Sequence, residues 1–173
     1  MTNFVLLSNS SPIKNFFRVE KFSCFVPKAA ILCLCVNFIQ PAHGGDDKFK
    51  NLDSTSIIKI VSDDIEKNQA LVTADFTRAI YDERCKFQDE ISTYEINEYI
   101  KGTKALFNKD LSYVKLESPV ELNENVLHFK FSELLAFNIP FNPKVKLEGE
   151  LDLTRGDDGL IIKSREHWKS LSF

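Results

Sequence analysis

The stretch that most constrains the fold is residues 74–90, ADFTRAIYDERCKFQDE, where a short helical turn runs straight into a strand with two unlike faces. Successive side chains of a strand alternate, so over residues 81–90 Tyr81, Glu83, Cys85, Phe87 and Asp89 share one face, and Asp82, Arg84, Lys86, Gln88 and Glu90 the other. The first face is aromatic and acidic, the second polar and charged. Such a strand suits a sheet with one face in water and one enclosing a partly polar space.

Helical periods flank it. Upstream, Ser54 or Ser56 is placed to cap a helix running to Asn68, in which Ile57, Ile58, Ile60, Val61 and Ile65 form an apolar stripe. Thr73 or Asp75 starts a second, shorter helical turn. Downstream, residues 94–107 bring Ile96, Tyr99, Ile100, Thr103 and Phe107 to one face of a third helix, which Gly102 weakens by about 1 kcal/mol relative to Ala. From Leu111 the period changes to two: Val114, Leu116, Ser118, Val120 and Leu122 alternate with polar neighbours, and Pro119 marks an edge or a bulge. Residues 126–132 are a return strand with Leu127, Phe129 and Phe131 on one side. Residues 144–154 alternate cleanly, residues 155–159 turn, and residues 160–168 form the last strand. This order predicts an α+β domain, with three helices on one face of a curved antiparallel sheet.

At 173 residues, 43% hydrophobic and 27% charged, the chain suits one globular domain. Its charge is unevenly placed. Residues 1–45 hold Lys14, Arg18, Lys21 and Lys28 against Glu20, a net of +3, so the whole-chain value of −3 leaves −6 on residues 46–173. An acidic body excludes a general nucleic-acid binder, which needs a basic surface.

The basic leader contains an apolar run of 11 residues, AAILCLCVNFI at 29–39, too short to span a bilayer as a helix. It reads as a signal h-region with cleavage near residues 42–45, while the 28 residues before it, rich in Ser, Asn and Phe, resemble an organelle transit peptide. Together they look like a two-part address to a plastid (chloroplast) and its inner compartment, the thylakoid lumen. Mitochondrion, secretion and an uncleaved N-terminal anchor are the alternatives. Residues 46–53 read as an exposed linker and 54–170 as the folded domain, with no transmembrane span in the mature chain. Cys24, Cys33 and Cys35 fall in the leader, so Cys85 has no partner for an internal disulfide in the body. In an apolar run, Cys33 and Cys35 read as small hydrophobes rather than metal ligands.

The element order, the passage at 76–89 (FTRAIYDERCKFQD), the closing GLIIKSREHW at 159–168 and LLAFNIPF at 134–141 together resemble the nuclear-transport-factor-2-like (SnoaL-like) cone fold. More narrowly, they are similar to an uncharacterised family of that superfamily found in plants, algae and cyanobacteria. The resemblance spans about residues 57–169. It implies a cone with an internal cavity and no settled activity, since the superfamily includes isomerases, dehydratases, cyclases, hydrolases and non-catalytic binders.

Several residues are candidates for a site. Asp89 shares a strand face with Phe87, where an enclosed carboxylate has a raised pKa and can act as general base; alternatively it bonds the Ser92 or Thr93 backbone in a turn. Tyr81 and Glu83 share that face. His128 and His167 are the histidines of the body, too few and too isolated for a metal set. Arg165, Glu166, His167 and Trp168 supply either a cavity wall or a solvated strand end. The expected cavity is lined by Tyr81, Cys85, Phe87, Asp89, Phe137 and Trp168, with no metal and no cofactor. Leu134, Leu135, Phe137, Ile139 and Phe141 make residues 133–143 too apolar for an ordinary connection; a lid, a dimer contact and a membrane-surface contact compete. No phosphate loop or nucleophile elbow occurs. The leading expectation is binding of a small apolar ligand, or a scaffold role as a homodimer through the sheet face or the 133–143 loop. The alternative is an isomerase or dehydratase with Asp89 or His128 as base and Tyr81 as donor.

Overall fold

The computed structural model describes residues 47–172, which fall within the unit His43–Phe173. The expectations for the leader, its cysteines, its cleavage and its destination lie outside the described residues.

Helix α1 spans Ser54–Glu66 and turns Ile57, Val61 and Ile65 inward. Asp53, rather than Ser54 or Ser56, caps it: its carboxylate accepts the Ser56 N–H at 3.0 Å and the Ser56 hydroxyl at 2.6 Å. The second helix, α2, is Ala70–Thr73, earlier than Thr73 or Asp75 would start it. Left-handed residues Gln69 and Ala74 bracket it, and burial of Ala70 and Val72 places it. A 3-10 turn, Arg78–Ile80, feeds β1, Tyr81–Gln88.

Thr93–Glu95 is a short strand, β2, although the helical spacing places Tyr94 and Glu95 at the start of the third helix; it pairs antiparallel with β1, where Glu95 meets Lys86 in an ion pair. Helix α3 therefore begins at Ile96 and runs to Leu106, with the Glu98 carboxylate accepting the Glu95 N–H at 3.1 Å. The remaining strands are β3 (Tyr113–Leu116), β4 (Glu121–Asn123), β5 (Val126–Ala136), β6 (Lys144–Arg155) and β7 (Ile161–Ser172).

They form a curved, unclosed sheet of seven strands in the order β2-β1-β7-β6-β5-β3, with β4 also on β5. Every pairing is antiparallel except β1 with β7, which is parallel, a departure from the wholly antiparallel expectation. Register shifts interrupt β1 between Tyr81 and Lys86 and β7 around Lys169, and such irregularities bend a strand. Strand β5 runs four residues beyond its expected end, so the first four residues of the supposed loop at 133–143 are strand. The even rhythm is obscured there because Glu133 occupies an inward position and Leu134 an outward one.

One apolar core joins Ile57, Val61 and Ile65 of α1 to Phe129 and Phe131 of β5 and Leu147, Leu151 and Leu153 of β6. Buried Asp64 ties α1 to the next segment, accepting the Thr77 N–H at 2.8 Å and the Thr77 hydroxyl at 2.9 Å. The expected linker is also held: Phe49 N–H donates to the Ala79 carbonyl at 2.9 Å, Asn51 N–H to that of Asp158 at 3.0 Å, and Arg155 Nη2 to that of Leu52 at 2.8 Å. Its side chains are largely exposed, but its backbone belongs to the domain. Among the described residues no helix is long and apolar enough to cross a membrane.

Candidate functional site

The interior opposite the helices is filled mainly by rings. Phe87 from β1 stacks on Tyr99 from α3 with centroids 4.3 Å apart and 15° between planes, and Tyr81 and Phe76 continue the cluster at 5.8 and 5.7 Å from Phe87. Two small cavities lie beside this stack, each of about 20 Å³, room for one water molecule. One is lined by Asp64, Phe76, Tyr81 and Leu153 among others, the other by Gln88, Asp89, Tyr94 and Glu166 among others. Both share Leu71, Phe87, Tyr99, Leu151 and Ser164, so they adjoin at the ring stack.

Two carboxyl groups point inward from the sheet, Glu166 lining the second cavity and Glu133 lining neither. On β5 the odd-numbered residues Leu127, Phe129, Phe131, Glu133 and Leu135 all point inward and are buried. Glu133 is 6% exposed and lies between Val114 and Leu147 in register. Burial drives its pKa well above the ordinary glutamate range, and the nearby Glu166 charge adds to the rise, which favours the protonated form. Glu166, on β7 between Ser164 and Trp168, is partly buried and accepts the Trp168 indole N–H at 2.6 Å. Desolvation lifts its pKa to about 7 against the lowering effect of that hydrogen bond, with Asp89 and Glu90 contributing further. The Tyr99 phenol is raised well above its usual value by burial and by the charges of Glu166 and Glu133.

The expected catalytic trio does not assemble. Tyr81 is buried in the ring cluster, whereas His128 lies on the opposite face of the sheet from Phe129 and bonds Asp152 at 2.7 Å. Asp89 closes the β1–β2 turn, its Oδ1 accepting the Ile91 and Ser92 N–H groups at 2.7 Å each, though it also lines the second cavity. Glu83 shares parity with Tyr81 but not its surroundings, because the register shift in β1 turns it out to Arg78 and Lys48, which hold its carboxyl down to about 2.

Of the expected cavity wall, Tyr81, Phe87 and Asp89 border the cavities. Cys85 is wholly buried in the core, its thiol pushed up to about 12 by burial. Phe137 packs on Phe107 at 5.6 Å, and Trp168 is half-buried beside Glu166. His167 and Arg165 reach Glu90, at 3.3 and 3.5 Å. Among the described residues, no group of three or more His, Cys, Asp or Glu is placed to hold a metal ion. Glu133 escaped the sequence reading, although the parity that turns Phe129 and Phe131 inward carries on to it.

Two solved structures share this architecture. The epoxide hydrolase/cyclase-like enzyme SalBIII, active in pyran ring formation in the polyether salinomycin, superposes with a TM-score of 0.54 over 69% of this chain and 97% of its own, at 14% identity. A nuclear-transport-factor-2-like superfamily protein from Salmonella enterica serovar Typhimurium superposes with a TM-score of 0.50 over 68% and 94% of the two chains, at 11% identity. The chain has the nuclear-transport-factor-2-like fold. No protein-family model and no curated protein matches the sequence.

Proposed function

We propose that the cone binds a small, largely apolar, uncharged molecule and presents the Glu133 and Glu166 carboxyls to its polar group. The observation that carries this is Glu133, a carboxyl buried on a strand face otherwise formed by Leu127, Phe129, Phe131 and Leu135. Burying a carboxyl among apolar groups is costly, and a ligand oxygen accepting from its protonated form would offset part of that cost. A protonated donor beside apolar rings selects against carboxylates and phosphates. A ligand larger than water enters by turning the Phe87 and Tyr99 rings aside, which joins the two cavities. A scaffold role through the outer sheet face has less support: that face is covered by its own ion pairs, His128 with Asp152 and Glu150 with both Lys130 and Lys169.

One observation favours a second reading, acid–base catalysis of the isomerase or dehydratase kind. A carboxyl with a pKa of about 7 near one whose pKa is raised well above the glutamate range pairs an acceptor with a donor. In that reading Glu133 and Glu166 replace Asp89, His128 and Tyr81.

Native mass spectrometry of the purified chain, before and after unfolding, tests both. A small neutral mass released on unfolding, and lost in Glu133→Ala, is the expected result. If Glu166→Gln retains a different mass from the wild type, the pair processes what it binds; the same mass in both leaves binding alone. An empty wild-type protein, with melting unaffected by Glu133→Gln at any pH, rejects the site.

A further inference from the structure

We propose that the tip of the β5–β6 hairpin is a contact for an anionic membrane surface, Phe141 and Ile139 entering the headgroup layer and the surrounding lysines meeting lipid phosphates. Phe141 is 99% exposed and Ile139 46%, at the end of a turn that is not slack. Asn142 donates its N–H to the Ile139 carbonyl at 3.0 Å and its side-chain amide to the Phe137 carbonyl at 2.9 Å, while Phe137 N–H donates to the Pro143 carbonyl at 3.0 Å. Pro140 and Pro143 stiffen the chain on either side. Phe141 itself takes φ of 70°, a left-handed conformation that bulky side chains rarely adopt. The turn thus holds an aromatic ring out in water.

The basic residues around the tip are brought there by the sheet. Lys144 opens β6 opposite Ala136, and Lys146 stands opposite Leu134. Asn108 N–H donates to the Ala136 carbonyl at 2.8 Å, and the Ser112 hydroxyl accepts the Ala136 N–H at 2.9 Å, so Lys109 and exposed Leu111 lie at the same end. Lys104 is in the last turn of α3. Among the described residues none of Lys104, Lys109, Lys144 and Lys146 forms an ion pair; Asp110 is the acidic residue of the neighbouring turn.

An apolar tip within a cationic ring has the composition of an interfacial contact. The body is acidic, residues 46–173 totalling −6 even with these lysines included, so an anionic surface attracts this end and repels the remainder, which sets the orientation. A second copy or a protein partner would need a broad apolar face, and here two apolar side chains project from a narrow turn.

The test is co-sedimentation of the full chain with phosphatidylcholine vesicles holding about a quarter phosphatidylglycerol, and with pure phosphatidylcholine vesicles. The expected result is salt-sensitive binding to the anionic vesicles, reduced about tenfold by Phe141→Asp and, at low salt, by Lys109→Glu with Lys144→Glu, with melting temperature unchanged. Equal sedimentation of wild type and Phe141→Asp would place any membrane affinity elsewhere in the chain and overturn the proposal. Equal binding to neutral and anionic vesicles would overturn it too. Loss of a dimer in light scattering on Phe141→Asp, with vesicle binding unchanged, would assign the tip to a second copy.

Discussion

Glu133 and Glu166 set a pH dependence that can be separated from that of the surface carboxylates. In the unfolded chain both ionise near 4.5, whereas in the folded protein Glu166 titrates at about 7 and Glu133 well above its ordinary range. As pH rises above 4.5, the unfolded chain releases protons that the folded one retains, so their contribution to stability is full below 4.5 and is lost as pH rises through the folded values. Glu83 has the opposite sign: its carboxyl, held to about 2, supplies stability above 4.5 that is lost as pH falls toward 2. Glu133→Gln and Glu166→Gln are therefore expected to melt with the wild type at pH 4 and several degrees above it at pH 8. Paired thermal melts check this, and equal shifts at both pH values would show that neither carboxyl is held neutral.

At the scale of elements, the edge strand β3 is secured by a side chain. Gln69, in its left-handed turn after α1, accepts the Val114 N–H at 2.7 Å and donates to the Val114 carbonyl at 3.1 Å, pairing with the strand as another strand would. Gln69→Ala strands both backbone groups and is expected to cost about 1–3 kcal/mol in urea unfolding, with local hydrogen exchange rising first at Val114. Strand β6 has a different constraint. A Cβ at Gly149 would lie 2.7 Å from Phe131 Cζ and 2.8 Å from the His167 carbonyl, so Gly149→Ala is expected to destabilise by about 1–3 kcal/mol through overpacking. Neither role was legible in the sequence. A glutamine in a turn and a glycine in an alternating strand look ordinary until a long-range partner, 45 residues away for Gln69, is known.

For the molecule as a whole, Cys85 is a reporter of global opening. It is fully buried, with its thiol pushed up to about 12, so it stays unmodified by alkylating reagents while the domain is folded. Peptide mapping after timed alkylation is expected to show Cys85 labelled at the rate of global unfolding and slowed by any ligand held in the cone. Labelling at the speed of a free thiol in the native protein would show that the core opens without unfolding.

What the sequence determined by itself was the alternation of elements: an apolar stripe at helical spacing before a two-faced strand, then paired strands of period two, enough to imply a helix-backed curved sheet. These signals are local, because side-chain period follows from backbone geometry alone. The tertiary structure decided the rest. It paired β1 parallel with β7, extended β5 through Glu133, and turned His128 away from Tyr81. It also set two carboxyls in one interior although they lie 33 residues apart, at positions 133 and 166. A residue's face depends on register, and register depends on which strand lies alongside. The chemistry of a buried carboxyl depends further on the surroundings that strands distant in sequence place around it.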